Sequence, residues 1–529
     1  MVIRHAVLYD GSGGAPASGD VAIRGDRIAA VGSVQGRGKR EIDAHGLAAA
    51  PGFINVMSQA QESLIADGRG LSDIKQGVTT EIMGEGESMG PLTPAMKQEM
   101  KDAQADVKYD VDWTTLGEFL QSLVRRGVSP NVGSFIGAAT PRIAVLGRAN
   151  RAPTPAELDQ MRALVKQAME EGAFGVASAL IYAPGAYAQT EELVELCKAA
   201  QPYGGIYISH MRSEGNAFIE AIDELITIAR EAGVAAEIYH LKAAGRANWP
   251  KMDAAIARVN AARAQGLRIS ADMYTYTAGM TGLDAAMPTW VQAGGYEEWR
   301  KRLQDPLTRT RVIGEMRTKS EGWENLMMLA GGAENVLLVG FKSEALKPLT
   351  GKTLAEVAKL RGVSPEDAAV DLVIEDGSRV STIYFLMSDD NLRKQIAQPW
   401  VSFGSDAEAS APEGVFLKSS THPRAYGNFA NLLGHFAREE KVISVAEAVR
   451  RLTSLPARTL GLADRGTLKP GAFADVVIFD PQTIAAHSTY EKPMQYATGV
   501  QDVFINGVQV LRDGEHTGAK PGRVVKRAR

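Results

Sequence analysis

The sequence is poor in cysteine, in net charge and in long apolar runs. One cysteine, Cys197, occurs in 529 residues. No intrachain disulfide can form, so an oxidising compartment is not implied and a cytoplasmic protein is expected. Cys197 lies in TEELVELCKAA, a helical pattern where a lone thiol reads as apolar filler. Lysine and arginine number 58, aspartate and glutamate 62, for a formal net charge of −4. That balance gives no electrostatic case for nucleic acid or a membrane surface as partner. No run of 18 apolar residues occurs, which excludes a hydrophobic spanning helix. The opening MVIRHAVLYDG lacks a basic stretch followed by an apolar one and reads as a strand.

What remains is ordinary globular composition, 45% hydrophobic and 23% charged, with 54 glycines suited to many turns between strands and helices. The most informative stretch runs from Gly205 to Lys242. GIYISH and VAAEIYH are short apolar runs, each ending in a histidine, His210 and His240. Between them Phe218, Ile222, Ile226 and Ile228 recur at helical spacing. The unit is strand, helix, strand, and a right-handed crossover sets the two strand ends side by side. Two imidazoles meeting at the carboxyl ends of parallel strands suit a zinc ion.

Eight strand candidates follow the same logic: Phe53–Met57, Val78–Met83, Asn131–Gly137, Gly175–Ala179, Ile206–His210, Ala236–His240, Arg268–Met273 and Val401–Ser405. Helical patterns separate most of them, which predicts an α/β protein, a (β/α)8 TIM-like barrel over 51–461. The gap from about 281 to 398 is too long for a loop; its helical patterns read as an inserted subdomain or lid and the helix before strand eight. Residues 1–50 and 462–529 alternate apolar and polar between turn signals, and predict a small β-sandwich built from both termini.

The stretches PGFINV, QGVTT, YISHMRSEG, IYHLKAAGRANW, ADMYTYT, FGSD, THPRAYGNF and PGAFADVVIFD together resemble the amidohydrolase superfamily. Within it the chain is similar to the N-acyl-D-amino-acid deacylases, over nearly its whole length. The resemblance implies a metal-bearing barrel with a small terminal β domain. It makes His210 and His240 zinc ligands on strands five and six. It makes Asp406, in FGSD, the group that takes a proton from the attacking water and returns it to the leaving amine. It assigns Arg424, Lys242 and Tyr274 to the substrate carboxylate and amide, and places Tyr182 and Tyr187 on a pocket loop.

Two positions depart from the family pattern. The His-x-His pair expected on strand one is replaced by Met57 and Gln59, neither a good zinc ligand. The cysteine expected after strand two is replaced by the stretch Glu85, Gly86, Glu87. His210, His240 and one carboxylate still make a His2Glu set with an open fourth position, and Glu85 is favoured because it follows the strand directly after Gly84. Zinc, one per chain, or another divalent metal is therefore the expected cofactor. Gln59 and Ser58 are placed to hydrogen-bond water or substrate where a second metal would sit. His422, before Pro423 and Arg424, either steers substrate or braces its loop; Glu214 holds either Arg212 or an imidazole N–H. Asp272 is read as an inward-facing polar residue and Asp284 as solvent-facing. The expected activity is hydrolysis of the amide bond of N-acyl, by resemblance D-, amino acids, with a small-molecule substrate as the only necessary partner. The competing readings are a barrel hydrolase acting on a cyclic amide, carbamate, ester, lactone or small peptide, and a non-catalytic relative. Oligomeric state is left open, a homo-oligomer included.

Overall fold

A computed structural model describes residues 1–528. Eight short parallel strands form its centre: Phe53–Asn55, Val78–Met83, Asn131–Ser134 continued by Ile136–Gly137, Gly175–Ala179, Ile206–His210, Ala236–Ile238, Ile269–Met273 and Val401–Phe403. Each pairs in parallel with the next in chain order. Strand three changes partner at Phe135, whose N–H donates to Met83 C=O at 2.8 Å. Strand eight returns to strand one through a parallel bridge between Ser58 and Ala407. Asp406 N–H donates to Met57 C=O at 2.8 Å, and Gln59 N–H to Ala407 C=O at 3.0 Å. The sheet is thereby closed into the expected barrel.

The local sequence explains the outer ring. All six residues of Val78–Met83 are buried, as in a parallel strand covered on both faces. The crossover helix Phe218–Ala232 buries Phe218, Ile222, Leu225, Ile226 and Ile228, and ends at Gly233 with φ 68°. Helix Pro155–Glu171 begins with a capping box between Thr154 and Glu157 and a proline in its first turn.

Three strands stop short of their expected ends, two of them for one reason. Strand one ends at Asn55, strand six at Ile238 and strand eight at Phe403. Just beyond, His240 and Asp406 take positive φ, 35° and 49°. Left-handed backbone at a non-glycine residue costs of order 1–3 kcal/mol and lifts the side chain out of the ladder.

The insertion differs from a purely helical expectation. It contains an antiparallel sheet in the order Ala278–Gly282, Ser381–Phe385, Val336–Gly340. Helices Tyr296–Gln304, Pro306–Met316, Leu354–Arg361 and Pro365–Asp376 pack around a separate apolar cluster that includes Leu283, Trp299, Leu303 and Leu372. VLLVG and STIYF are short apolar runs without polar alternation, which periodicity alone does not distinguish from buried helix. Asp284 is also not solvent-facing: it is 2% exposed and both its oxygens lie 2.9 Å from Arg379 Nε.

The two ends of the chain pair into one nine-stranded sheet. Ala48–Pro51 is the seam, parallel to Val2–Leu8 and antiparallel to Val476–Phe479. A buried polar network couples this sheet to barrel strand three. Asp475 accepts from Asn506 N–H at 2.7 Å, from Asn131 Nδ2 at 3.3 Å and from the Arg465 guanidinium. Asn506 Nδ2 donates in turn to Asn131 Oδ1 at 2.8 Å. Among the described residues no helix is long and apolar enough to cross a membrane. Replacing Asp475 with Ala leaves the Arg465 charge buried and unpaired, so the variant should lose about 3–5 kcal/mol of stability. Chemical-denaturation midpoints of variant and parent would show it; a change under 1 kcal/mol would mean that the network carries little.

Candidate active site

Three ligand-type side chains converge at the carboxyl ends of strands two, five and six. Glu85, His210 and His240 each present a ligand atom, all within 4.8 Å of one another. His210 Nδ1 lies 3.1 Å and His240 Nε2 3.5 Å from Glu85 Oε1. The imidazole rings stand edge to face, centroids 4.5 Å apart. Gly84 makes this possible: its φ is 88°, and a Cβ there would lie 2.4 Å from Phe135 O. Glu87 instead points away and pairs with Arg148 at 2.9 Å, which leaves Glu85 as the carboxylate of the set.

Glu214 braces the cluster from the far side. Its Oε1 lies 2.9 Å from His240 Nδ1 and 2.7 Å from Lys242 Nζ, and Oε2 is 3.6 Å from His210 Nε2. Of the two expected partners it therefore takes the imidazole; Arg212 pairs with Glu224. A carboxylate on the outer nitrogen of a ligand histidine fixes its tautomer and orientation. Burial pushes the Glu214 carboxyl up, but Lys242 and the two histidines outweigh it and hold the group well below the usual range. The same balance, burial against hydrogen bonds from His210 and His240, holds Glu85 down. Burial and Lys242 press the His240 pKa down, while Glu214 and Glu85 prevail and raise it to about 9.

Strand eight brings the remaining groups. Asp406 Oδ2 lies 2.9 Å from Arg424 NH1. The guanidinium carbon of Arg424 sits 4.4 Å over the Tyr274 ring, with Lys242 Nζ 5.6 Å from the same ring. The Tyr274 hydroxyl faces Met387 Sδ at 3.6 Å. Gln59 Nε2 is 2.8 Å from Glu85 Oε2 and 3.4 Å from Asp406 Oδ1. Tyr182 stands edge-on to His210 at 5.2 Å between centroids, with Arg379 over its ring at 4.9 Å. His422 lies beside Tyr274, but both its nitrogens are taken by backbone: Nε2 is 2.9 Å from Ala278 O, and Nδ1 accepts from Arg424 N–H at 3.0 Å. Burial, and Arg424 beside it, push its pKa well down. Of its two expected roles, bracing the loop is the one this geometry serves.

Sequence reasoning overlooked the buried acids beside the barrel strands, the first group linking strands one, two and eight to helix Leu71–Ile74. Asn55 Nδ2 lies 3.1 Å from Asp73 Oδ2, 3.0 Å from Glu81 Oε2 and 2.8 Å from Ser405 Oγ; Asn55 Oδ1 accepts from Ser405 N–H at 2.9 Å. Burial raises the pKa of both acids, and Glu81 adds to the rise at Asp73. Asp272 and Glu237 form a second raised pair, for Asp272 by burial and then by Glu237, for Glu237 by burial. Asp272 Oδ1 takes the His240 N–H at 2.7 Å. The signal was present: a charged residue inside an otherwise apolar run, as in VTTEIM and AEI, must be paired or neutral once buried.

The donor set fits a divalent metal. Zinc bonds of about 2.0–2.2 Å to nitrogen and carboxylate oxygen suit three ligand atoms gathered this closely, and His210 Nε2 is buried with no hydrogen-bond partner. A closed parallel barrel bearing such a cluster beside an acid and an arginine defines a metal-dependent hydrolase. The sequence profile of the amidohydrolase family matches residues 339–514. A D-aminoacylase of Alcaligenes xylosoxydans xylosoxydans is 31% identical over 532 residues, covering 100% of this chain and 97% of its own. An N-acyl-D-aspartate deacylase of the same organism is 31% identical over 530 residues, covering 99% and 94%. A crystal structure of N-acyl-D-glutamate deacylase from Bordetella bronchiseptica, complexed with zinc and a phosphonate mimic of the tetrahedral intermediate, superposes with TM-score 0.81 at 28% identity, over 99% of each chain. The chain belongs to the amidohydrolase family, in its D-aminoacylase and N-acyl-D-amino-acid deacylase branch, and is an enzyme that hydrolyses amide C–N bonds.

A metal ligand must be a neutral imidazole, whereas His240 without an ion is protonated below about pH 9. Zinc uptake by the ion-free protein at pH 7 should therefore release about one proton, and affinity should rise about tenfold per pH unit below 9. Calorimetric titration in buffers of different ionisation enthalpy counts the protons. A pH-independent affinity with no release would show that His240 is already neutral.

Proposed function

We propose that the protein hydrolyses the amide bond of N-acyl-D-amino acids, with one zinc ion held by Glu85, His210 and His240. The observation that carries this reading is the convergence of those three groups within 4.8 Å beside Asp406 and its arginine. Bound there, the ion supplies the Lewis acidity that lowers a water's pKa to about 7 and draws charge from a carbonyl. The protein's own groups do the rest. Asp406 accepts the proton of the attacking water and donates it to the departing amine, general base and then general acid. Arg424 holds one oxygen of Asp406 at 2.9 Å, and Gln59, which also faces Glu85, lies 3.4 Å from the other.

Arg424 and Lys242, both close to the Tyr274 ring, supply the positive charge that a substrate carboxylate needs. In the ion-free geometry both are already paired, with Asp406 and Glu214, so a carboxylate substrate would compete for them. The ring of Tyr182 would shape the pocket wall next to His210. The D-configuration comes from the relatives' activities; a small-molecule substrate suits a site set among strand ends. The cytoplasm fits a chain whose one thiol, Cys197, is buried and pushed up in pKa by that burial. A non-catalytic relative would have no need to hold two residues, His240 and Asp406, in strained backbone at the strand ends.

Replacing Asp406 with Asn should lower kcat about 10²- to 10⁴-fold while one zinc per chain stays bound. Elemental analysis beside steady-state kinetics on an N-acyl-D-amino acid checks both parts; unchanged kcat would remove Asp406 from the chemistry. Arg424→Ala should raise KM for carboxylate-bearing substrates by about tenfold or more, a loss of at least 1.4 kcal/mol. It should also lower kcat on neutral amides, because Arg424 holds Asp406 directly. Equal KM effects on charged and neutral substrates would leave Arg424 only its contact with Asp406.

A further inference from the structure

The chain replaces a metal-binding His-x-His pattern with Met57 and Gln59, and the structure shows what stands there instead. Met57 is 1% exposed, in an apolar cluster with Ile54, Tyr239 and Tyr274, and offers the site no donor. Gln59 reaches into the site. Its amide nitrogen faces Glu85 Oε2 at 2.8 Å and Asp406 Oδ1 at 3.4 Å. Both neighbours are carboxylate oxygens, which only accept, so the NH2 end of the amide must face them. The backbone of Gln59 is fixed from both sides, because Ser58 N–H donates to Ile82 C=O at 2.9 Å and Gln59 N–H to Ala407 C=O at 3.0 Å.

We propose that Gln59 is a positioning residue whose two N–H donors bridge Glu85 and Asp406. This rests on the reading of the site as a zinc-dependent deacylase. One donor steadies the free oxygen of the ligand carboxylate; the other steadies the carboxylate that moves the proton. A neutral amide does this without bringing a second cation that would tie up Asp406. The site is thereby built for one metal.

The test uses the full chain with zinc. Gln59→Leu keeps the volume and removes both donors. It should lower kcat about ten- to hundredfold and weaken zinc binding, read by chelator competition, about tenfold. KM should stay within about twofold, since both amide donors of Gln59 face protein carboxylates, and the circular-dichroism melting curve should match the parent's. A structural role alone would move KM and melting together. The second variant, Met57→His/Gln59→His, should raise the zinc count from one to two per chain. Parent-like kcat and zinc affinity in Gln59→Leu would overturn the proposal. So would two zinc ions in the parent, or no second ion in the double variant. A parent that binds no zinc and cleaves no N-acyl amino acid would instead bring down the zinc-deacylase reading itself.

Discussion

Closing strand eight onto strand one is the constraint from which the active site follows. The closure rests on few bonds: two backbone hydrogen bonds between Met57–Gln59 and Asp406–Ala407, and below them Asn55, which both donates to and accepts from Ser405. The same Asn55 amide faces Asp73 and Glu81, and burial pushes the pKa of both acids up. Two ionised carboxylates buried there would leave uncompensated charge next to the strand-one to strand-eight closure, at a cost of several kcal/mol each. The seam fixes Asp406 opposite Gln59, and Gln59 opposite Glu85. The proton-carrying group and the proposed ligand cluster are thus registered by backbone pairing across the whole barrel and not by one loop.

The electrostatics of the upper layer have a different character. Three carboxylates, Glu85, Glu214 and Asp406, face two fixed cations, Lys242 and Arg424, with the two imidazoles between them. Without an ion the deficit is met by a proton on His240, whose pKa is raised to about 9. A divalent ion displaces that proton and leaves a net positive site, which is what an anionic N-acyl amino acid requires.

The sequence disclosed the barrel well and the insertion poorly. Strand, helix and turn signals in the barrel agree with one another, and every predicted barrel strand is present within two residues of its expected end. The residual errors fall at His240 and Asp406, where strained backbone ends a strand early, and no propensity records that strain. In the insertion the strands Val336–Gly340 and Ser381–Phe385 are five residues each and lack polar–apolar alternation, so no period marks them. Ligand-type residues were legible because histidine is rare in this chain and twice closes an apolar run. The buried acids Asp73, Glu81 and Glu237 lie away from the strand ends, where a ligand is expected, although a carboxylate within a buried run is itself a signal. Direction was the least legible property: nothing in the sequence tells that both nitrogens of His422 serve the backbone while one oxygen of Glu214 serves both His240 and Lys242.

The two departures from the family pattern are chemically linked. The resemblance implies a cysteine after strand two, and a thiolate offers one soft ligand atom with little demand for hydrogen bonds. Glu85 offers two oxygens. When Oε1 faces His210 and His240, Oε2 is left needing a donor, and a carboxylate oxygen without one in a half-buried site is costly. The donor present is Gln59, at 2.8 Å. A histidine at 59 that bound a second metal would have its nitrogen committed to that metal, and Glu85 would have to bridge two ions to satisfy both oxygens. Glutamate at 85 and glutamine at 59 are therefore mutually sufficient: the carboxylate completes a site for one ion, and the amide supplies what the carboxylate lacks. Met57 fits the same arrangement, since with no second ion to bind, its position is best filled by an apolar side chain packed under the seam.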